Sequence, residues 1–424
     1  MKLYPSLLIL SFLICSYFIS AHAENAIKEG PLLVVVLMVK NEEHVMAATL
    51  QPYVDAGIDS YFIFDTGSTD RTVQVTEEFF AKHRIKHFYI EQEPFVDFAT
   101  SRNRALELAE ARFIQAQFML MVDAEWYMHN VQGLLNFCRQ EMHEQTACYF
   151  IRLITSQLDY FLPRLMRVNC HVRYVGVVHE TIAQPVDGKA PAEIWFEVRT
   201  TERGEQKTKD RIIRDRDMLL AFLEKNPDSS RDMFYLAQTY SCLKDWENAH
   251  QCYLKRAAMN GWEEENFMTL YRLGEICELR SMEEDYAYWW QEAFHYYLKA
   301  YEMRPWRIEP LIRIGHHYFR KQELATAYIF IKLACEVPYP PFDILFVEKD
   351  FYTFHRYDLL SQCAGSVGAY DIGEWATRQA LQVKSDCSYL YKNLATYIEA
   401  LQEVKRRQEE EQKYMHLRNV APAV

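Results

Sequence analysis

The sequence lacks the excess of basic residues that a dedicated nucleic-acid-binding protein presents to phosphates. Its 47 lysines and arginines are outnumbered by 59 aspartates and glutamates, which gives a formal net charge of −12. This balance argues against a nucleic-acid partner. An acidic protein can still bind an anionic nucleotide if a metal ion or a few local basic residues neutralise the phosphates.

Cysteine motifs are also missing. Of the 10 cysteines, all except Cys15 are scattered singly through the rest of the chain, and none forms a C-x-x-C pair. This spacing indicates neither a disulfide framework nor a zinc site, and it is typical of proteins from a reducing compartment. The chain likewise has no glycine-rich phosphate loop, no G-x-S-x-G elbow and no Cys–His motif.

No apolar run reaches the roughly 20 residues that a membrane-spanning helix needs. The N-terminus instead resembles a secretory signal peptide: Lys2 gives a positive start, Leu7–Ile19 is apolar, and Ala21–Ala23 forms an A-x-A cleavage site. We therefore expect residues 1–23 to be removed and the protein to be exported to a periplasm, a lumen or the extracellular space. The alternative is an uncleaved signal anchor that tethers the chain to a membrane.

The first half of the chain alternates strand-like and helix-like segments. Continuous apolar runs predict strands at residues 32–39, 60–64, 85–90 and 118–122, with amphipathic segments between them. Such a βαβα order predicts a parallel sheet with helices on both faces. A ligand crevice would then lie at the carboxyl ends of the strands.

Repeated small and aromatic residues mark the second half. At close to a 34-residue period, one unit covers Asp228–Gly261, another covers Ile308–Pro340, and Leu273-Gly274 opens a unit between them. A fourth, degraded unit covers Tyr357–Val383. The predicted domains are residues 24–204, a repeat domain of tetratricopeptide-like helices at 205–402, and a charged tail at 403–424. Stacked repeats of this kind present an extended surface to a partner.

Polar clusters follow three of the predicted strands. Lys40-Asn41-Glu42-Glu43 comes after the first, Asp65–Asp70 after the second, and the acidic pair Asp123 and Glu125 after the fourth. Two carboxylates at i and i+2 can share a hard divalent cation that grips a diphosphate, although most such pairs are simple turn or cap residues. Asp65 has the same plain alternative as part of a helix-entry turn.

The order of these motifs resembles a known family. LLVVVLMVKNEE, IFDTGSTDRT, FVDFATSRNRAL and LMVDAE are similar to segments of the family-two glycosyltransferases, whose fold is called GT-A. RYVGVVHE, RDMFYLAQTY, KRAAMNGWEEE and RPWRIEPL resemble the branch with a C-terminal tetratricopeptide-like region. The resemblance covers essentially all of the mature chain. It implies an α/β GT-A (Rossmann-like mixed sheet) catalytic domain followed by an all-α helical repeat domain.

The resemblance also implies residue roles in binding a nucleotide-sugar donor. Asp65 would accept a hydrogen bond from the base, while Asp123 and Glu125 would hold a metal ion, Mn²⁺ or Mg²⁺, together with the diphosphate. The other expected donor-binding residues are Lys40, Asn41, Glu42, Asp97, Arg102 and Asn103. Glu125 departs from the family, which usually has Asp there. The longer side chain can still reach a metal with altered geometry, or the site is weakened or repurposed.

A later cluster, Tyr174–Glu180, ends in a His-Glu pair. The resemblance implies that His179 completes the metal coordination and that Glu180 is the general base, with Asp159 as the competing base. Neighbours on a strand point to opposite faces, so both residues can serve one site only if the strand is irregular. Arg164, Arg167, Lys207 and Lys209 could contact phosphates or could be ordinary surface charges.

Together these observations predict a glycosyltransferase. The expected reaction is a metal-assisted, inverting transfer from a nucleotide diphosphate sugar, UDP-linked by family habit, to a protein, peptide or glycan acceptor. The alternative is a helical-repeat binding scaffold with a degenerate, inactive glycosyltransferase domain. A nucleotidyltransferase would need a glycine-rich, basic loop after the first strand, and Lys40–Glu43 is not such a loop.

Overall fold

A computed structural model describes residues 30–155, 159–199, 205–283 and 285–420. The predicted signal peptide at residues 1–23 lies outside them. The chain divides into two compact units. The first consists of the chain up to Leu153 with Leu162–Val175 and Glu180–Thr201, and the second of Ile154–Phe161, Gly176–His179 and Glu202–Val424. The predicted domain boundary at residues 204 and 205 stays a prediction, because residues 200–204 are outside the described ranges.

The first unit is built on a mixed sheet. Its long strands are rich in β-branched and aromatic residues, which pack well on a pleated surface. The strands in the described ranges are β1 (Leu33–Val39), β2 (Ser60–Asp65), β3 (His87–Gln92), β4 (Phe118–Asp123), β5 (Trp126–His129), β6 (Cys148–Ile154), β7 (Asp159–Arg167), β8 (Tyr174–Val175), β9 (Thr181–Ile182), β10 (Gly188–Lys189) and β11 (Trp195–Val198).

Within the described residues the strand order is β3-β2-β1-β4-β7-β6-β11-β5, with β10 paired to β6. β1 is parallel to both β2 and β4, with Val39 opposite Asp65 and Met38 opposite Asp123. β7 runs antiparallel to β4, and β11 runs antiparallel to β5. The carboxyl ends of β1, β2 and β4 therefore share one edge of the sheet, as the strand pattern predicted.

Four helices of this unit lie between the strands. They are α1 (Met46–Asp55), α2 (Thr72–Lys82), α3 (Phe98–Arg112) and α4 (Val131–Gln140). Asp97 and Asn130 cap the amino ends of α3 and α4 by accepting backbone N–H groups. Apolar residues from α3 pack on the buried face of β1, β2 and β4 to form one core. The sequence analysis did not predict α4, β5, β9 or β10.

The predicted fold class is wrong. The described chain is mostly helical, and no clear GT-A catalytic domain is present, although a sheet forms in the N-terminal part. The order of apolar runs and helix-like segments predicted the local strands and helices. It did not specify the antiparallel second half of the sheet, and one layered architecture supports many unrelated functions.

The second unit is dominated by helices. They are α5 (Glu205–Lys225), α6 (Ser230–Cys242), α7 (Trp246–Ala257), α8 (Glu263–Arg280), α9 (Tyr286–Met303), α10 (Glu309–Arg320), α11 (Leu324–Glu336), α12 (Arg356–Cys363), α13 (Tyr370–Val383) and α14 (Ser388–Val420). A π-helical turn, Phe351–His355, leads into α12. None of the helices in the described residues is both long and apolar enough to cross a membrane.

Successive helices of this unit pack as antiparallel pairs: α6 with α7, α8 with α9, α10 with α11, and α12 with α13. Small residues permit the close approach within pairs, as the repeat pattern predicted. A Cβ on Gly274 of α8 would lie 2.5 Å from the ring of Tyr297 on α9, and one on Gly315 of α10 would lie 2.3 Å from Ile331 on α11. The prediction of tetratricopeptide-like repeats is confirmed.

Candidate functional site

The loops after β1 and β2 brace each other. The backbone N–H of Asn41 donates to Oγ of Ser68 at 2.8 Å, and the N–H of Thr69 donates to Oδ1 of Asn41 at 2.7 Å. Asn41 has a φ of 57°, a left-handed conformation that asparagine tolerates better than most residues. Lys40 beside it is exposed. The predicted donor-binding residues of the first cluster therefore lie next to the second cluster.

Further hydrogen bonds connect the loop after β1 to the amino end of α2. The N–H of Glu42 donates to Oγ1 of Thr72 at 2.7 Å, and the N–H of Glu43 donates to Oδ2 of Asp70 at 3.2 Å. Although burial opposes it, hydrogen bonds from Thr72 and Glu43 hold the pKa of the Asp70 carboxyl below its usual range. These carboxylates and hydroxyls thus hold two loops together.

Asp65 is fully buried at the end of β2. Its carboxylate accepts hydrogen bonds from the N–H and the hydroxyl of Ser68, and from Nε2 of Gln92 at 2.7 Å. This arrangement matches the helix-entry turn that was the alternative interpretation of Asp65. Its contact with a nucleotide base stays a prediction.

Two other predicted residues lie on α3. Asp97 is the N-terminal cap and accepts from the N–H and the hydroxyl of Thr100 at 2.7 and 2.8 Å. Asn103 pairs with the backbone of Tyr174, donating to its carbonyl at 2.9 Å and accepting from its N–H at 2.7 Å. Asn103 thereby fixes strand β8 against α3.

The strongest concentration of charge in the first unit is a buried quartet of Arg102, Asp123, Arg164 and Glu180. Arg102 donates to Oε1 of Glu180 at 2.5 Å and to Oδ1 of Asp123 at 2.6 Å. Arg164 approaches the other oxygen of Asp123 at 3.3 Å and Oε1 of Glu180 at 3.6 Å. The Arg102, Arg164 and Glu180 side chains are no more than 7% exposed, and that of Asp123 is 27% exposed. Two guanidinium groups and two carboxylates give the quartet no net charge.

Aromatic rings complete this cluster. The guanidinium of Arg164 lies 4.6 Å from the ring centroid of Trp126 and 5.7 Å from that of Tyr174, so its positive charge faces two π surfaces. Burial tends to raise the pKa of Asp123, but the charges of Arg102 and Arg164 lower it below its usual range. Asp123 is therefore ionised and compensated by protein groups alone.

The predicted metal ligands do not fit a cation in this arrangement. Both carboxylate oxygens of Asp123 face guanidinium groups. Across residues 30–155, 159–199, 205–283 and 285–420, no three or more His, Cys, Asp or Glu side chains are grouped to hold a metal. The backbone carbonyl of Glu125 accepts from the N–H of Arg199. Metal and nucleotide-sugar binding stay predictions, and no chemical step is derived through them.

Two other predicted residues, Asp159 and His179, belong to the second unit. Asp159 lies 3.7 Å from the ammonium of Lys349. His179 has a φ of 51°, its ring stacks on Tyr235 at 4.4 Å, and its carbonyl accepts from Arg231 at 2.9 Å. Glu180, the other predicted base, belongs to the first unit. The backbone at His179 is thus irregular, and the roles of His179, Glu180 and Asp159 stay predictions.

A second concentration of charge links the first helices of the repeat pairs. Arg231 of α6 forms an ion pair with Glu265 of α8. Arg313 of α10 reaches back to Glu275 of α8 at 2.5 Å. Further along both helices, Arg320 of α10 pairs with Glu278 of α8, giving three cross-helix bridges in all. We name these three pairs the ladder.

The ladder is partly open to solvent. The side chain of Arg313 on α10 is 32% exposed and that of its partner Glu275 is 15% exposed, while Arg272, which lies beside the ladder on α8 and also pairs with Glu275, is 30% exposed. Nε of Arg313 also donates to the hydroxyl of Tyr271 at 3.0 Å. Guanidinium groups held at fixed positions suit carboxylates and backbone carbonyls of a ligand. Sequence reasoning missed these residues, because charges at helical spacing look like a solvated face.

Comparisons with known proteins were made for the whole chain. No protein-family model matches it, and no curated protein matches it. Solved structures with partial similarity include MamA, at 14% identity over 42% of this chain and 91% of that chain with a TM-score of 0.32. Another is the C-terminal part of a TPR repeat-containing protein from Cytophaga hutchinsonii, at 15% identity over 47% of this chain and 72% of that chain with a TM-score of 0.34. A third is a thermophilic TPR protein from Thermus thermophilus, at 16% identity over 46% of this chain and 94% of that chain with a TM-score of 0.30.

These findings correct the functional prediction. No glycosyltransferase family or fold is found, and the similar structures are tetratricopeptide-repeat proteins. The assignments to family-two glycosyltransferases, to the GT-A fold and to a glycosyltransferase activity are therefore wrong. The physical reason is that short polar clusters after strands occur in many α/β units, where they brace loops as they do here. Identities near 15% transfer no function from the similar structures.

Proposed function

We propose that this protein is a binding scaffold whose repeat unit holds a protein partner along the surface of α6, α8 and α10. The single observation that carries this proposal is the ladder. It joins three consecutive first helices, and the side chains of Arg313 in the ladder and of Arg272 beside it are 32% and 30% exposed. Stacked helix pairs give an extended surface that no single helix offers.

The chemistry of the ladder favours an extended peptide segment with carboxylate or carbonyl groups facing the arginines. Arg313 already contacts Glu275 at 2.5 Å, so its side chain is held in place before a ligand arrives. A side chain that is fixed in advance loses less conformational entropy on binding. Tyr271, which is 1% exposed, supports Arg313 from the buried side, because its hydroxyl accepts from Nε of Arg313 at 3.0 Å and its ring lies 5.9 Å from the guanidinium.

The test is a selection of random peptides displayed on phage against the full chain, followed by fluorescence anisotropy with each enriched peptide. We expect Arg313→Gln to weaken binding about tenfold or more, which corresponds to about 1.4 kcal/mol. The matched control is Arg378→Gln on α13. Arg378 is also a partly exposed arginine with a glutamate partner, Glu374 at 2.7 Å, but it lies outside the ladder.

Equal binding by the wild type and the Arg313→Gln variant would show that the ladder is not the binding surface. A selection that enriches no peptide on a folded protein, as judged by its helical circular dichroism, would contradict the scaffold proposal itself. Unchanged binding by the Arg378→Gln variant is needed for the expected result, because a loss there would indicate a general charge effect.

A further inference from the structure

The connection between α11 and α12 differs from the other connections of the repeat unit. Residues 243–245 and 258–262 join their helices in short turns, whereas residues 337–348 separate Glu336 from the helical segment that begins at Lys349. Connections of this length without secondary structure are uncommon in compact proteins and are often functional. We name residues 342–348 of this connection the strap.

Two repeat residues hold the backbone of the strap. Oε2 of Glu264, on the first turn of α8, accepts from the N–H groups of Ile344 at 2.9 Å and Leu345 at 2.7 Å. Arg307 donates to the carbonyls of Leu345 at 3.2 Å and Phe346 at 3.3 Å. These side chains therefore satisfy two backbone donors and two backbone acceptors of the strap.

Asp343 supplies a side-chain contact at the start of the strap. Arg304 binds it with two hydrogen bonds of 3.0 and 2.8 Å, and Nε1 of Trp306 donates to Oδ1 at 3.1 Å. Bidentate arginine–carboxylate pairing of this kind is strong and directional. Asp343 is 9% exposed, whereas the preceding Phe342 is 89% exposed.

Apolar side chains complete the pattern. Leu345 belongs to the core formed by α5 to α9, and Val347 belongs to the core formed by α10 to α13. Their exposures are 8% and 2%. Asp343, Leu345 and Val347 are therefore three buried alternate residues, although Phe346 has a left-handed φ of 48° and the segment is not a regular strand. Glu348 ends the strap and accepts from the hydroxyl of Tyr271 at 2.6 Å.

We propose that the strap is a tethered ligand of a peptide-binding site made by Glu264, Tyr271, Arg304 and Arg307. This inference rests on the proposed scaffold function and deepens it, because the strap ends at Tyr271, beside the ladder. The site reads a segment that bends at its centre, in which a carboxylate is followed by apolar residues at alternate positions, Asp-x-Leu-x-Val. A protein partner with this pattern binds by replacing the strap.

Because the strap is part of the same chain, a partner must compete with it for the site. A segment attached at both ends acts at a high effective concentration, on the order of millimolar for short flexible links. An external peptide therefore binds well only when the strap is weakened or when the partner also engages the ladder. The strap thus sets an affinity threshold for the partner.

The first experiment uses a fluorescent synthetic peptide with the sequence of residues 339–350 and the full chain carrying Asp343→Ala and Leu345→Ala. These changes remove the bidentate contact and the apolar contact of the strap. We expect this variant to bind the peptide at least tenfold more tightly than the wild type does. Adding Glu264→Ala to the variant should abolish binding, and a control peptide with the same two alanines should not bind.

Absence of peptide binding to the folded double variant would overturn the proposal. If that variant loses its helical circular dichroism, hydrogen exchange of the wild-type protein decides instead. We expect the amides of Ile344 and Leu345 to exchange at least 100-fold faster than the buried amides of α8, because the strap opens without global unfolding. Equal exchange rates would show that the strap is a permanent part of the core.

The two proposals can fail separately. If phage-selected peptides bind in an Arg313-dependent manner but the strap peptide never binds, the tethered-ligand inference is wrong and the scaffold function stands. If the strap peptide binds the double variant but no foreign peptide is ever selected, the site serves only its own chain and the scaffold proposal is wrong.

Discussion

Replacing Arg102 with methionine removes the central cation of the buried quartet while keeping a side chain of similar length. Arg102 contributes hydrogen bonds of 2.5 Å to Glu180 and 2.6 Å to Asp123. Its loss leaves two carboxylates with only Arg164, whose contacts are longer at 3.6 and 3.3 Å. The region would change from neutral to a net charge of −1 around Glu180, which is 7% exposed, and Asp123, which is 27% exposed.

The expected cost follows from those contacts. Hydrogen bonds to charged groups each contribute about 1.5–3 kcal/mol, so two give about 3–6 kcal/mol. Breaking a buried ion pair by removing one partner costs about 3–5 kcal/mol, which agrees. Arg102→Met combined with Glu180→Leu should cost at least about 1 kcal/mol less than the sum of the single changes, because no carboxylate is then left without a guanidinium.

The free energy of unfolding of the first unit is measured by urea unfolding, in which hydrogen exchange of the β1 and β4 amides reports on this unit. The matched control is Arg104→Met, because Arg104 is 45% exposed and forms a surface pair with Glu93. That change should cost about 1 kcal/mol or less. A loss below about 1 kcal/mol for Arg102→Met would refute the reasoning, since it would mean that the quartet is open to water.

Three further predictions concern other features. Asp97→Ala removes the cap of α3 and should destabilise the first unit by about 1 kcal/mol in urea unfolding. Gly274→Ala places a Cβ 2.5 Å from the Tyr297 ring, so overpacking should lower the free energy of unfolding by about 1–3 kcal/mol. The control is Gly365→Ala, whose Cβ has its nearest contact at 3.5 Å. An equal loss of stability in the control would contradict the steric argument. Burial lowers the pKa of His317 to about 4, so the folded protein resists protonation there and loses stability as the pH falls from about 6.5 towards 4. His317→Gln should reduce that loss when the urea midpoints at pH 7 and pH 4.5 are compared, and an unchanged loss would assign the effect to other groups.

Much of the local structure could be predicted from the sequence. The apolar run at residues 32–39 forms β1, and residues 118–122 fall within β4. Gly274 and Gly315 mark close helix contacts in the repeats, as small residues at a fixed period indicate. These features were predictable because strand and helix periods, and the size of a side chain at a contact, are written locally in the chain.

The functional interpretation was not predictable in the same way. The family resemblance implies donor-binding roles for Asp65, Asp97 and Asn103, and the structure uses each one to cap a helix or fix a loop. A carboxylate that caps a helix and one that binds a ligand have the same residue type and similar local surroundings. Only the position of their partners separates the two roles.

The sequence by itself determined the layered organisation: apolar runs that form strands, followed by helical repeats with small residues at their contacts. Tertiary structure alone decided how the charges pair. Arg102 meets Glu180 across 78 residues, and Arg304 meets Asp343 across 39. Periodicity records which face of an element is buried, but the partner of a buried charge depends on how distant segments pack. The strap and the quartet therefore became visible only in the folded chain.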